Sequence, residues 1–199
     1  MGNTKDRFTR GYGLLEGSLT RKRARIANEM IPPHSRKGRI LDFGCGRIPF
    51  FLLNTPFNKK YGMDPHVQIS VANGNIQLMN IDINDAVLPF GDNFFDVVTM
   101  LAVFEHIVQA NLTTVLKEFG RVLKPDGRLI MTTPCPWSDK LLRLMAVLGL
   151  VSPEEIKDHK DVYGRKMIKN YLVRSGFEGH KIRFGYFQFF LNNWVIVDK

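Results

Sequence analysis

Five short apolar runs lie between residues 38 and 134, and most of them end at an aspartate, a glycine or a proline. Runs of this kind are typical of strands that are covered on both faces of a parallel sheet. We therefore predict five strands in this part of the chain. They are GRILDFG (38–44), KKYGMD (59–64), GNIQLMNID (74–82), FDVVTMLAV (95–103) and GRLIMTTP (127–134).

Helical patterns lie between and around these runs. Residues 110–123, ANLTTVLKEFGRVL, place apolar side chains at helical spacing, and Pro125 with the following Asp-Gly pair predicts the end of that helix. Further helices are predicted at 18–31 and 164–177. Strands that alternate with helices favour an α/β fold, a doubly wound and mostly parallel sheet with right-handed crossovers.

The C-terminal tail holds two strand-like runs that we expect to be joined near Asn192-Asn193, which predicts an antiparallel pair at the sheet edge. With 199 residues, 44% of them apolar, the chain fits a single domain, 1–199. We divide it into an N-terminal helical segment (1–37), a core (38–134), a lid or substrate segment (135–165) and a C-terminal helix with the strand pair (166–199).

Charge is unevenly distributed along the chain. Of the net +9, residues 38–139 carry −2, whereas residues 1–37 carry +6 and residues 140–199 carry +5. Basic flanks around a slightly acidic centre suit an anionic substrate, a membrane surface or RNA, although a merely solvated surface accounts for them equally well.

The cysteines and the apolar runs indicate where in the cell the protein is expected. Cys45 and Cys135 are too few and too far apart in sequence for a disulfide framework or a metal cluster, so a reducing cytoplasm is the expected location. The polar start has no apolar region typical of a secretory signal, and the longest apolar run, 144–151, is too short to span a bilayer.

Three aspartates, Asp42, Asp64 and Asp82, fall at or near predicted strand ends. Ligands of open α/β sheets bind beyond those ends. Gly44 and Gly46 allow the backbone to approach a ligand closely. The dinucleotide fingerprint G-x-G-x-x-G fails because its third glycine position is a proline, and a carboxylate beside a pyrophosphate would be repelled. The loop therefore indicates a cationic ligand.

The runs DFGCG (42–46), MD (63–64), IDI (81–83), LPFGDNFFDVV (88–98), FEHI (104–107) and EFGRVLKPDGRLIMTTP (118–134) resemble the class I S-adenosylmethionine-dependent methyltransferases. The chain is most similar to the small-molecule branch called methyltransferase type 11, over about residues 38–134. The resemblance implies a Rossmann-like seven-stranded sheet, S-adenosylmethionine as cofactor and S-adenosylhomocysteine as product.

The resemblance also implies roles for individual residues. Asp42 would lie near the methionine end of the cofactor, and Leu101 would line it. Asp64 would accept hydrogen bonds from both ribose hydroxyls. Asp82 would accept the adenine amino group, and the Ile83 N–H would reach a ring nitrogen. The implied cofactor-binding residues are Asp42, Phe43, Gly44, Cys45, Gly46, Asp64, Pro65, Asp82, Ile83 and Leu101.

Ile48 departs from the family pattern, which usually has glycine there. Two outcomes are open: the loop widens and packs Ile48 under the next helix, or cofactor affinity is weakened. The neighbouring Pro49 is expected to stiffen the start of that helix.

His106, which follows the fourth strand, is our candidate general base, because histidine titrates near neutral pH. A similar E-x-x-E-H run holds a metal in ubiquinone-pathway O-methyltransferases. Ala102 replaces its first glutamate here, so we predict no metal. Cys135 is a weak parallel to the nucleophiles of RNA cytosine-5 methyltransferases, because the companion Pro-Cys after strand four is missing. TMLA (99–102) stands where exocyclic-amine methyltransferases carry N-P-P-Y, so base methylation is not favoured.

Substrate recognition is expected in 1–37 and 135–165. The apolar stretch 141–151 is predicted to be a helix packed as a lid. Two alternatives are a wall for a lipid-like or aromatic substrate and a peripheral membrane contact with Lys140 and Arg143 at its edge. RKRAR (21–25) is expected to be a solvated helix face rather than a phosphate contact. The residues guessed for the pocket rim are Tyr12, His159 and Tyr163.

The sequence thus predicts in-line methyl transfer to a small acceptor, anionic or apolar. The first alternative is an RNA methyltransferase that uses the basic flanks. The second is a protein that binds S-adenosylmethionine without catalysis. The acceptor and the oligomeric state stay open.

Overall fold

The structure is a computed structural model, and it describes residues 16–71, 74–84, 87–138, 163–188 and 190–199. Within them, the five strands that the apolar pattern predicts between residues 38 and 134 are present. The helices are α1 (Glu16–Met30), α2 (Phe50–Leu53), α3 (Gln109–Val122) and α4 (Arg165–Arg174). The strands are β1 (Arg39–Phe43), β2 (Lys59–Met63), β3 (Ile76–Met79), β4 (Phe95–Leu101), β5 (Leu123–Pro134), β6 (Ile182–Phe187) and β7 (Asn192–Asp198). Short 3-10 turns cover Pro33–Lys37, Ile69–Val71, Phe104–His106 and Gly179–Lys181.

All seven strands form one sheet in the order β3-β2-β1-β4-β5-β7-β6. The first five strands pair in parallel, and β7 pairs antiparallel with both β5 and β6. The order reverses beside β1, which places a crevice beyond the carboxyl ends of β1 and β4. The predicted doubly wound sheet with an antiparallel edge pair is confirmed.

Both faces of the sheet are covered by apolar side chains. On one face, Ala24 and Ala27 of α1 pack with Ile40, Val97 and Ile130 of the central strands. The opposite face carries the larger cluster, in which the apolar stripe of α3 and two side chains of α4 meet β1, β4 and β5. The stripe consists of Leu112, Val115, Leu116, Phe119 and Val122, and the α4 side chains are Ile168 and Leu172.

Several boundaries differ from the prediction. The third strand ends at Met79, so Asp82 lies three residues beyond it. β6 ends at Phe187, and Asn192-Asn193 are the first residues of β7 rather than the turn between the two strands. The last helix stops at Arg174 because Ser175 and the left-handed Gly176, with a φ of 100°, end it.

The helix after the glycine loop is short. α2 is a single turn, and Pro49 is its N-cap rather than its first helical residue. Residues 54–58 then lead directly into β2. The connection from β1 to β2 is therefore compact. In the described part of the chain, no helix combines the length and the apolarity that a bilayer span requires.

Candidate active site

The loop after β1 lies against two neighbouring segments. Gly44 and Gly46 adopt positive φ angles of 75° and 76°, which side-chain-bearing residues rarely do. The Gly44 and Cys45 N–H groups both donate to the Met63 carbonyl oxygen, at 2.7 and 3.1 Å. A Cβ atom on Gly44 would lie 2.4 Å from Cγ2 of Val103, in the segment after β4. Glycine at position 44 is thus required by both conformation and space.

Asp64, directly after β2, fixes this loop. Its Oδ2 accepts the Gly46 N–H at 3.0 Å, and its Oδ1 accepts the His66 N–H at 2.8 Å. The residue is 7% exposed. Because each carboxylate oxygen can accept more than one hydrogen bond, these contacts are compatible with the predicted bonds to ribose hydroxyls.

Asp42 lies within β1, one strand closer to the centre of the sheet. It is 3% exposed, and its Oδ1 accepts the Thr99 hydroxyl at 2.7 Å from the paired position on β4. Burial raises the pKa of Asp42 to about 7. The Thr99 bond opposes that rise, and the nearby Asp64 adds to it. A positively charged ligand near this carboxyl group would favour its ionised form.

Asp82 and Ile83 lie beyond β3. The Asp82 carboxylate is exposed, and its Oδ1 accepts the backbone N–H and the side-chain Nδ2 of Asn84, at 2.8 and 3.0 Å. Asn84 in turn accepts the Val108 N–H at the start of α3, at 2.9 Å. Ile83 packs against the larger core cluster. The three aspartates therefore all lie along the carboxyl edge of the sheet, on neighbouring strands or just beyond them.

The remaining predicted cofactor residues offer less of their side chains. Phe43 is fully buried edge-on against Phe119, with ring centroids 5.0 Å apart, so only its backbone borders the loop. Cys45 is buried, and burial together with Asp42 and Asp64 raises the pKa of its thiol. Pro65 and Leu101 are half-buried beside the loop and at the end of β4.

Ile48 is half-buried and belongs to neither core cluster, which disfavours the first of the two open outcomes, packing under the next helix. Its carbonyl oxygen accepts the Phe50 N–H at 2.7 Å, inside the tight entry to α2.

His106 and Glu105 lie in the 3-10 turn after β4. Ala102 opens this segment with a left-handed φ of 57°, which turns the chain away from the strand. Glu105 is 2% exposed, and its Oε2 accepts the Thr133 hydroxyl at 3.1 Å, so it points into the protein. His106 is half-buried on this carboxyl-edge side. Its role as a base stays a prediction.

Other predicted residues do not line a crevice. Tyr163, guessed for the pocket rim, is 1% exposed and packs edge-on against Phe104 at 4.9 Å, so that guess is wrong. Cys135 is also 1% exposed, and burial raises the pKa of its thiol, which disfavours a nucleophilic thiolate. Tyr12, His159, Lys140, Arg143 and the stretch 141–151 lie outside the described residues.

No metal site is found within the described ranges, where no three His, Cys, Asp or Glu side chains come together in a suitable group. The predicted absence of a metal remains a prediction.

Sequence reasoning missed two polar residues of this edge. Thr99 is fully buried yet polar, and its position in the middle of the apolar run FDVVTML was the available signal. Asn84 joins Asp82 to α3, but nothing in its local sequence pattern announces that contact, because Val108 and Asn111 are more than twenty residues away.

Arg121 explains why the LPF and RVL motifs occur together. Its Nη1 donates to the Phe90 carbonyl oxygen and to Asp92, each at 2.8 Å. Its Nη2 donates to the Leu88 carbonyl oxygen at 3.1 Å and to Glu118 at 2.7 Å. One guanidinium group thus ties residues 88–92 to α3.

A cofactor with a sulfonium and an ammonium group fits this edge better than a phosphate does. Two buried carboxyl groups, Asp42 and Asp64, lie at the glycine loop. Among the described residues, no cation offsets the rise in the pKa of Asp42 that burial causes. A phosphate would be repelled by the same groups. Fold and site together define an S-adenosylmethionine-dependent methyltransferase of class I.

Comparison with known families agrees with this class. The sequence model of the family described as "Methyltransferase domain" matches residues 15–182, and the chain belongs to that family. S-adenosylmethionine is accordingly its cofactor, with S-adenosylhomocysteine as the product.

Two solved structures illustrate the shared fold. A SAM-dependent methyltransferase from Archaeoglobus fulgidus has a TM-score of 0.69 at 18% identity, covering 91% of this chain and 94% of its own. An S-adenosylmethionine-dependent methyltransferase from Mesorhizobium loti has a TM-score of 0.66 at 16% identity, covering 93% and 100%.

Two curated relatives match over shorter stretches. Nocamycin O-methyltransferase of Saccharothrix syringae is 31% identical over 136 residues, which is 59% of this chain and 47% of the relative. The uncharacterized protein MJ0638 of Methanocaldococcus jannaschii is 36% identical over 92 residues, 46% of this chain and 39% of the relative. The matches thus span less than half the length of either relative.

Proposed function

We propose that the protein transfers the methyl group of S-adenosylmethionine to a small-molecule acceptor by in-line displacement. The observation that carries the proposal is the glycine loop held against Asp64 above the buried Asp42. This arrangement presents two buried carboxyl groups and close backbone to a cationic nucleoside. The relative named as an O-methyltransferase supports an oxygen atom as the acceptor.

In this proposal the bound cofactor supplies an electrophilic methyl group on a good leaving group. The chain's own residues bind and orient. Asp64 holds the ribose and the loop, Asp42 faces the cationic methionine end, and Leu101 lines it. Alignment of the acceptor with the methyl group and exclusion of water supply most of the acceleration.

His106 would act on the acceptor. It follows β4 at the carboxyl edge of the sheet, where an acceptor next to the cofactor would lie. An imidazole nitrogen would take the proton of an acceptor hydroxyl as that oxygen attacks, and would pass it to water afterwards. His106→Gln should therefore lower kcat more than it raises KM.

The proposal is tested first by cofactor binding. Calorimetric titration with S-adenosylhomocysteine should show a single site. Asp64→Ala should weaken S-adenosylhomocysteine binding at least tenfold, because a charge-assisted hydrogen bond contributes about 1.5–3 kcal/mol. Glu178→Ala, which removes an exposed carboxylate far along the chain, is the matched control and should bind as the wild type does. Equal affinity of the Asp64 variant and the control would overturn the assignment of Asp64.

The acceptor class is tested by transfer of labelled methyl groups from S-adenosylmethionine into a cell extract. Label in small molecules that survives nuclease treatment supports the proposal. Label in RNA that disappears with nuclease would favour the alternative that uses the basic flanks. Tight cofactor binding without transfer to any fraction would indicate a non-catalytic binding protein.

A further inference from the structure

Arg165, the first residue of α4, carries a guanidinium group that is only partly satisfied. Its Nε donates to Asn193 Oδ1 at 2.9 Å, and its Cζ lies 3.4 Å from the ring centroid of Tyr186. Its Nη2 is shielded from solvent and has no hydrogen-bond partner in the structure. One edge and one face of the group are therefore held in place, while a second edge is without an acceptor.

Arg165 also forms no ion pair within 4 Å with any residue that the structure describes. Two other half-buried arginines differ in this respect. Arg121 pairs with Glu118 and Asp92, and Arg128 pairs with Asp198. Buried guanidinium groups are normally paired or fully hydrogen-bonded, because removing their hydration is costly. An orphaned donor on a rigidly held cation therefore indicates an anionic partner that arrives from outside this set of residues.

The position of Arg165 places that partner at the carboxyl edge of the sheet. Asn193 pairs with Thr133 near the end of β5 and with Tyr186 on β6, so these three side chains share one face. The Arg165 charge also reaches Cys135, directly after β5, where it opposes the rise in the thiol pKa. The glycine loop lies at the same edge, and three strand spacings separate β1 from β7, about 14 Å.

A separation of this size suits a small acceptor that spans from the cofactor to Arg165. Its reacting atom would lie near β4, and its anionic group would lie near β7. Tyr186, whose ring packs on the guanidinium group, is 45% exposed, and Arg165 itself is half-buried, so this end of the sheet is not fully enclosed.

We propose that Arg165 binds an oxyanion of the acceptor, a carboxylate or a phosphate group, with Asn193 and Tyr186 holding the guanidinium group in position. The inference rests on the proposed function, because it identifies the acceptor as an anion. A planar guanidinium group offers two adjacent N–H donors to such a group, which a neutral acceptor would leave unused.

The experiment is calorimetric titration of the protein with benzoate, phenyl phosphate and neutral benzamide, with and without saturating S-adenosylhomocysteine. We expect at least one anion to bind tenfold or more tightly than benzamide, and the comparison of the two anions distinguishes carboxylate from phosphate. Arg165→Gln should remove the preference. Lys166→Gln is the matched control, because it removes the same charge from an exposed neighbouring position. Arg165→Lys should retain part of the preference.

Wild-type protein that binds benzamide as well as it binds both anions would overturn the proposal, and so would an unchanged preference in Arg165→Gln. The first result needs no variant, so a variant that fails to fold leaves the test intact. Affinity for S-adenosylhomocysteine should be equal in wild type, Arg165→Gln and Lys166→Gln. A wild-type protein that binds the cofactor but shows no anion preference refutes this inference alone, whereas absence of cofactor binding refutes the proposed function.

Discussion

Replacing Asp42 by asparagine tests the electrostatics of the site most directly. The carboxyl group is 3% exposed, and its Oδ1 accepts a hydrogen bond from Thr99 at 2.7 Å. Asparagine has nearly the same shape and keeps an oxygen that can accept that bond. The substitution therefore removes the charge of a buried group while its packing and its known hydrogen bond persist.

The magnitude follows from the pKa. Burial raises the pKa of Asp42 from 3.8 to about 7, a rise of roughly three units, and each unit corresponds to about 1.4 kcal/mol. Between these values the folded protein keeps the proton and the unfolded chain loses it. Rising pH therefore favours the unfolded chain up to about pH 7, and the effect is constant above that. Between about pH 4 and pH 7 the wild type therefore loses about 4 kcal/mol of its free energy of unfolding.

The assay is urea unfolding of wild type and Asp42→Asn at intervals from pH 4 to pH 8, without cofactor. Groups that titrate in both proteins cancel in the difference. Asp42→Asn should be more stable than the wild type at pH 8, and the difference should shrink towards zero near pH 4. Thr99→Val should move the upper end of the transition to higher pH, because the Thr99 bond opposes the rise in the pKa. A difference that does not vary with pH would refute the reasoning.

Three further outcomes are expected. Cofactor binding should release a proton near pH 6 to 7, because a bound cation favours ionised Asp42. Calorimetry in buffers of different ionisation enthalpy measures this proton release, and equal heats of binding in all buffers would contradict the prediction. Gly44→Ala should cost about 1–3 kcal/mol of folding free energy, because its Cβ would meet Val103 and its φ is positive. Gly91→Ala, which meets nothing within 4 Å, should be nearly neutral in the same urea experiment. Arg121→Lys should cost about 1–3 kcal/mol, since one ammonium group cannot reach all four acceptors; an unchanged unfolding midpoint would show that the guanidinium bridge is dispensable.

The parts of the fold that could be predicted from the sequence are those set by local pattern. The apolar runs around Leu41 and Val98 read as buried strands because both faces of the sheet are covered. The α3 stripe has the helical period, and Pro125 follows its end. The strand-end aspartates could be placed because chain direction alone brings the carboxyl ends of parallel strands to one edge.

The contacts that complete the site depend on pairing between distant segments. Thr99 reaches Asp42 across 57 positions of sequence, and Thr133 reaches Glu105 across 28. In the sequence, Arg165 is one of several basic residues in a basic flank. Its hydrogen bond to Asn193 becomes visible only when β7 takes its place in the sheet. Tyr163 fits a pocket rim as well as a core by its residue type alone, and only its packing against Phe104 decides between them.

The glycine loop has one consequence for how its chemistry can vary. Its course is fixed by main-chain bonds to the neighbouring strand, from Gly44 and Cys45 to the Met63 carbonyl and from Gly46 to the Asp64 side chain. The side chains at positions 47 and 48 take no part in those anchors. A mutational library confined to these two positions could change cofactor preference while the loop backbone keeps its course. Ile48 is therefore a position where specificity can be altered without changing the backbone of the crevice.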